Sequence, residues 1–154
     1  MEDEAARTVG ARLAALYAAV HAGPMRDAPI CNDALEVEAI GFRAVEDRAV
    51  GVIVTPWFMN VVATGSCQIL ALPAGDVEFV GSEMAGFGLI LSCSLFSPMF
   101  DFADMAAARA VAREAMAALF DPALLIEDAR KATAEMDRRA LLRGAFAGRA
   151  EARP

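Results

Sequence analysis

The chain has 154 residues, enough for one domain with a sizeable core, and a formal net charge of −7 from 14 Lys and Arg against 21 Asp and Glu. That acidic balance excludes a nucleic-acid binder, which needs a basic face to neutralise phosphates. One His (His21) and three Cys (Cys31, Cys67 and Cys93) with no close pair leave too few ligands for a zinc site, so neither metal nor cofactor is expected and the thiols read as reduced.

Met1-Glu2-Asp3-Glu4 is acidic where a secretory signal would be basic, so a cytoplasmic protein is expected. Asp3 reads as the cap of a helix running to about Val20, with Val9, Leu13, Leu16, Tyr17 and Val20 on one apolar face and Gly23-Pro24 as its stop. His21 falls at the C-terminus of that helix and reads as a surface or last-turn residue rather than a catalytic one.

After a connector, Leu35 to Ala39 alternates apolar and acidic as a strand with one wet face does, and Gly41 predicts a bulge. Glu46-Asp47-Arg48 makes a turn, and Ala49 to Thr55 is apolar nearly throughout, as in a central strand. Pro56 cannot donate to a ladder, so that strand must bend or end there before Trp57 to Ala63 resumes. Further short strands are expected at Gln68–Leu72, Val77–Val80 and Leu89–Leu95, with a turn at Pro73–Asp76. Ala49 to Gly75 carries no charge and is long enough to span a bilayer as a helix. Pro56, Asn60, Gly65, Ser66, Gln68 and Pro73 interrupt it, so buried strands joined by a turn explain it better, and no stable membrane insertion is expected.

Ser97-Pro98 has the chemistry of a helix start, and Asp101 with Asp104 offers a second one. Met105, Ala108, Ala112, Met116 and Leu119 form the inward stripe of that helix. Asp121-Pro122 opens a further helix to about Arg143, and residues 145–154 read as a flexible tail. The order predicts an α+β fold: one domain over 1–144, with a mainly antiparallel sheet of about five or six strands, an N-terminal helix and two C-terminal helices.

Catalytic motifs are missing: there is no GxSxG elbow, Walker loop, HExxH or dinucleotide fingerprint. Asp101 and Asp104 resemble a carboxylate pair, yet at a helix start capping is the commoner use. More suggestive is the set Trp57, Phe58, Met59, Phe96, Met99, Phe100 and Phe102. Each could be core, but flexible Met beside aromatics is also how adaptable binding surfaces are built. Asn60 could offer such a surface a polar handle for a backbone.

These residues also carry a resemblance. Residues 51–60 (GVIVTPWFMN) and 93–104 (CSLFSPMFDFAD) resemble the two signature blocks of the HybE/HupJ family of nickel–iron hydrogenase maturation chaperones, and residues 32–42 (NDALEVEAIGF) a weaker third. The resemblance implies a cytoplasmic accessory protein without catalytic activity. Such a protein binds a hydrogenase large or small subunit precursor and holds it from export or assembly until its metal centre is complete. The expected partner-binding residues are Trp57, Phe58, Met59, Asn60, Phe96, Ser97, Pro98, Met99, Phe100 and Phe102. Two readings compete: a small-molecule-binding domain or small enzyme with an aromatic-lined pocket and Asp101 or Asp104 as acid or base, and a module that forms a homodimer through the same apolar patch.

Overall fold

The computed structural model describes residues 1–121. The helix expected up to Arg143 and the tail over 145–154 lie outside the described residues. Within them the order is α1 (Asp3–Ala22), β1 (Glu38–Val45), β2 (Arg48–Val54), β3 (Met59–Ala63), β4 (Ile69–Leu72), β5 (Gly75–Glu78), β6 (Val80–Met84), β7 (Gly88–Phe96) and α2 (Met105–Phe120). Five strands form one sheet in the order β1-β2-β3-β7-β6, and β4 and β5 form a separate hairpin. Every ladder is antiparallel, as short connections without crossover helices require.

β2 explains the uncharged run. From Ala49 to Val54 its side chains alternate between two covered faces, so no position along that run needs to be polar. Val50, Val52 and Val54 join Met59, Val61, Leu91 and the α2 stripe of Met105, Ala108, Ala112 and Met116, with Leu70, Leu72 and Phe79 from the hairpin region. Ala49 and Ile53 face the other way, with Val62 and Ile90, against Ala6 and Leu13 of α1. The uncharged residues from 49 to 75 are thus β2, β3, β4 and their turns, and among the described residues no helix is long and apolar enough to cross a membrane.

The bulge predicted at Gly41 is present: the β1–β2 register shifts between Ile40 and Arg43, and Gly41 takes φ 70°, a conformation glycine adopts without steric cost. The extra residue turns Phe42 onto the α1 side. Its ring is wedged between α1 and β2, so a β-carbon would lie 2.6 Å from it if added at Gly10 and 2.2 Å if added at Gly51.

Three expectations change. Asp3 is not the cap: Glu2 holds that position without a side-chain bond, and the Asp3 carboxylate accepts from Ala44 N at 2.8 Å. An edge-strand N–H lacks a ladder partner, whereas water readily serves the first turn of an exposed helix. The first strand begins at Glu38 rather than Leu35, because Leu35 N donates to Asn32 O at 3.0 Å and Leu35 is spent as a buried anchor. The main sheet has five strands, within the expected five or six, but one of them was not foreseen. Val80–Met84, with Gly, Ser and Glu at its centre, gives no strand signal in sequence and folds as the sheet edge beside β7.

Candidate functional site

The first stretch turns at Thr55–Phe58. Thr55 N donates to Phe58 O at 2.8 Å, which closes the turn, and the Thr55 hydroxyl accepts from Trp57 N at 3.2 Å and Phe58 N at 2.9 Å. Thr55 is fully buried, so its hydroxyl replaces water for two backbone donors. Pro56, with no N–H to satisfy, takes the corner, and Trp57 stands at the tip.

The second stretch leaves β7 through an irregularity. Asn60 pairs with Ser94 but Met59 pairs with Phe96, so Leu95 is the extra residue. The Ser97–Pro98 bond is cis, and the chain runs through a loop rather than opening a helix there. Asp104 is the actual helix cap: its carboxylate accepts from Ala107 N at 2.9 Å, and α2 begins at Met105. Of the two sequence choices for the start, the second is therefore the one used.

Both stretches meet at one end of the sheet. The Met59–Phe96 pair joins them, and the Ser97 hydroxyl donates to Trp57 O at 3.5 Å. Burial divides the expected residues into two groups. Met59, Met99 and Phe102 are core, at 0%, 0% and 8% exposure, whereas Phe96 and Phe100 are exposed at 39% and 55%. Ser97 and Pro98 are exposed beside them, and Trp57, Phe58 and Asn60 are half-buried. Trp57 rests 6.0 Å from the His21 ring and 5.5 Å from Phe58, which in turn meets Tyr17 edge-on at 5.3 Å. His21 thus lies against the tip of the first stretch rather than standing free. The Asn60 Oδ1 atom is shielded from solvent without a hydrogen-bond partner.

Sequence reading missed Asn32 as part of this site. Asn32 N donates to Pro56 O at 2.8 Å, and its Nδ2 donates to Met99 O at 3.0 Å and Phe102 O at 2.8 Å. The available signal was its place at the head of the third block, where Asn-Asp otherwise reads as ordinary turn chemistry.

A cleft of about 460 Å³ lies elsewhere, between α1 and β1, lined by Arg7, Ala11, Ala14 and residues 37–42 except Ile40. None of the aromatic or Met residues of the two stretches lines it. Its Glu38 is gripped by the Arg109 guanidinium through contacts of 2.8 to 3.1 Å. Neither Asp101 nor Asp104 lines it, and Asp104 is engaged as a cap. Among the described residues no group of three or more His, Cys, Asp and Glu side chains could hold a metal ion.

A family profile described as NiFe-hydrogenase assembly, chaperone, HybE matches residues 8–144. The chain belongs to the HybE family. Among its relatives, the hydrogenase expression/formation protein HupJ of Bradyrhizobium diazoefficiens is 50% identical over 152 residues, covering 91% of this chain and 90% of that one. The hydrogenase expression/formation protein HoxT of Azotobacter vinelandii is 38% identical over 154 residues, covering 92% of each. The solution structure of HybE from Escherichia coli superposes with a TM-score of 0.54 at 22% identity, over 72% of this chain and 75% of that one, which shows a shared fold. Membership of the HybE family therefore spans both aromatic stretches and the sheet that joins them.

Proposed function

We propose that this HybE-family chain is a chaperone that binds a nickel–iron hydrogenase subunit precursor, large or small, on the face formed by the Trp57 turn and the Phe96–Phe102 loop. The face holds the precursor from export or assembly until its metal centre is complete. The role is non-catalytic and belongs in the cytoplasm, where the precursor is made. One observation carries the reading: Phe96 and Phe100 are left exposed next to Pro98 and the half-buried Trp57, on a base of buried Met59, Met99 and Phe102. Exposed aromatics on a rigid, well-packed base are the usual anchors of a protein interface. Asn60, half-buried beside Met59, is a polar residue of the set, with its amide oxygen shielded from solvent.

The test is co-purification of hydrogenase precursors with the wild-type chain and with a Trp57→Ala, Phe100→Ala double variant. Loss of the precursor from a variant that keeps its circular dichroism supports the reading; undiminished co-purification removes the face from it. Sedimentation of the free chain addresses the homodimer, since a strictly monomeric result discards self-association through the same patch.

A further inference from the structure

We propose that Asn32 is the positioning residue of this face, setting the Trp57 half against the Phe100 half; the proposal rests on the binding reading above. Asn32 spends all three of its N–H donors at this junction. Its backbone N–H binds Pro56 O, the corner of the first stretch, at 2.8 Å. Its side-chain amide binds Met99 O at 3.0 Å and Phe102 O at 2.8 Å, while its Oδ1 accepts from Ala34 N at 3.0 Å. Met99 and Phe102 bracket Phe100 and Asp101, so one amide pins the loop on either side of its most exposed aromatic.

The buried Met99 and Phe102 side chains anchor that loop in the core, but few other hydrogen bonds fix its course. Across residues 97–104 the chain is neither helix nor strand, and its own internal backbone bond, Phe102 N to Met99 O, is 3.3 Å long. The direct link between the two halves, Ser97 hydroxyl to Trp57 O, is longer still at 3.5 Å. The chemistry selects Asn. Two donors and one acceptor in a short planar group meet two carbonyls and one N–H at once. Asp would set a carboxylate oxygen against two carbonyl oxygens, and Ser would supply only one donor. Without the pin the Met59–Phe96 pair still joins the halves, but the loop around Phe100 loses its fixed course and a partner must bear the cost of ordering it when it binds.

Asn32→Asp breaks the pin, because it keeps the bonds to Pro56 and Ala34 while replacing the two donations with a carboxylate oxygen that repels the two carbonyls. The purified large-subunit and small-subunit precursors of a nickel–iron hydrogenase are titrated separately against wild type, Asn32→Asp, Phe100→Ala and the double variant. Asn32→Asp should weaken the binding precursor about tenfold or more, and should cost far less when Phe100 is already Ala. Chymotryptic cleavage after Phe100, which needs no partner, should accelerate roughly several-fold in Asn32→Asp as the loop opens locally. Wild-type affinity with wild-type cleavage overturns the proposal, as does an equal loss in both backgrounds, which marks a merely structural role. Faster cleavage with binding indifferent to Phe100→Ala instead overturns the binding reading and leaves the pin standing. If Asn32→Asp does not fold, Asn32→Ser, with one donor retained, carries the same cycle.

Discussion

Phe96 and Phe102 meet edge to face with ring centroids 5.1 Å apart, one at 39% exposure and the other at 8%. The boundary between the proposed face and the core therefore runs through a single aromatic contact, and side chains six residues apart differ in burial. Phe102→Ala should cost about 3–5 kcal/mol, the usual range for emptying a buried Phe site. Phe100→Ala, half in solvent, should stay within about 0.5 kcal/mol of wild type. Phe96→Ala should fall between them. Equilibrium urea unfolding ranks the three, and a Phe100→Ala cost matching that of Phe102→Ala would place Phe100 in the core.

Much of this arrangement was legible because two rules left little freedom. Pro56 had to end a ladder, and β2 does stop at Val54, while the apolar run Ala49–Val54 had to be covered on both faces. The α+β order followed from those elements. What stayed hidden depended on partners far along the chain. Whether Phe100 or Phe102 faces inward depends on the extra residue at Leu95 and on the Asn32 amide, 70 residues before Phe102. No local periodicity carries that information. Asp3 likewise looked like a cap because its actual partner, the Ala44 N–H, is 41 residues away.

Gly51 is a sequence feature whose reason is visible only in three dimensions. In a central strand glycine weakens packing, but here the Phe42 ring occupies the space of its side chain, with Cδ2 2.2 Å from where a β-carbon would stand. The ring cannot swing clear, because Gly10 of α1 confines its other side. Gly51→Ala should therefore destabilise by about 1–3 kcal/mol through overpacking. A second change, Phe42→Leu, should recover part of that loss. Thermal melts of the two single variants and the double variant read the coupling, and strictly additive losses would contradict the wedge.

Tyr17 is the single Tyr of the chain, which makes its ionisation directly observable. Burial raises its phenol above the ordinary 10.0. The folded state then holds the proton more tightly than the unfolded chain does. The associated stability is fully present below the unfolded value and is lost as pH rises through the higher folded value. Absorbance at the phenolate band should give a midpoint above the ordinary 10.0 in the native protein. Phe58→Ala, which removes the ring 5.3 Å away, should bring the midpoint back towards it. A native midpoint at or below the ordinary value would show the phenol to be solvated.

Asp104 decides between two uses of a carboxylate. As N-cap of α2 it accepts from Ala107 N at 2.9 Å, and its backbone is extended at φ −159° and ψ 177° as that position requires. The first turn of α2 has no acidic residue of its own, so the helix dipole is met by this side chain alone among the first-turn positions and the cap. Met105, the next residue, packs into the core beneath β2, so loosening the first turn also loosens the core. Asp104→Ala should therefore cost about 1 kcal/mol, and Asp104→Asn, which keeps the accepting oxygen, only a fraction of that. A catalytic carboxylate would behave differently, since Asn would be as damaging as Ala to the activity while stability hardly moved in either. Chemical unfolding of the two variants separates these cases, and equal stability of wild type and Asp104→Ala would leave the cap without effect.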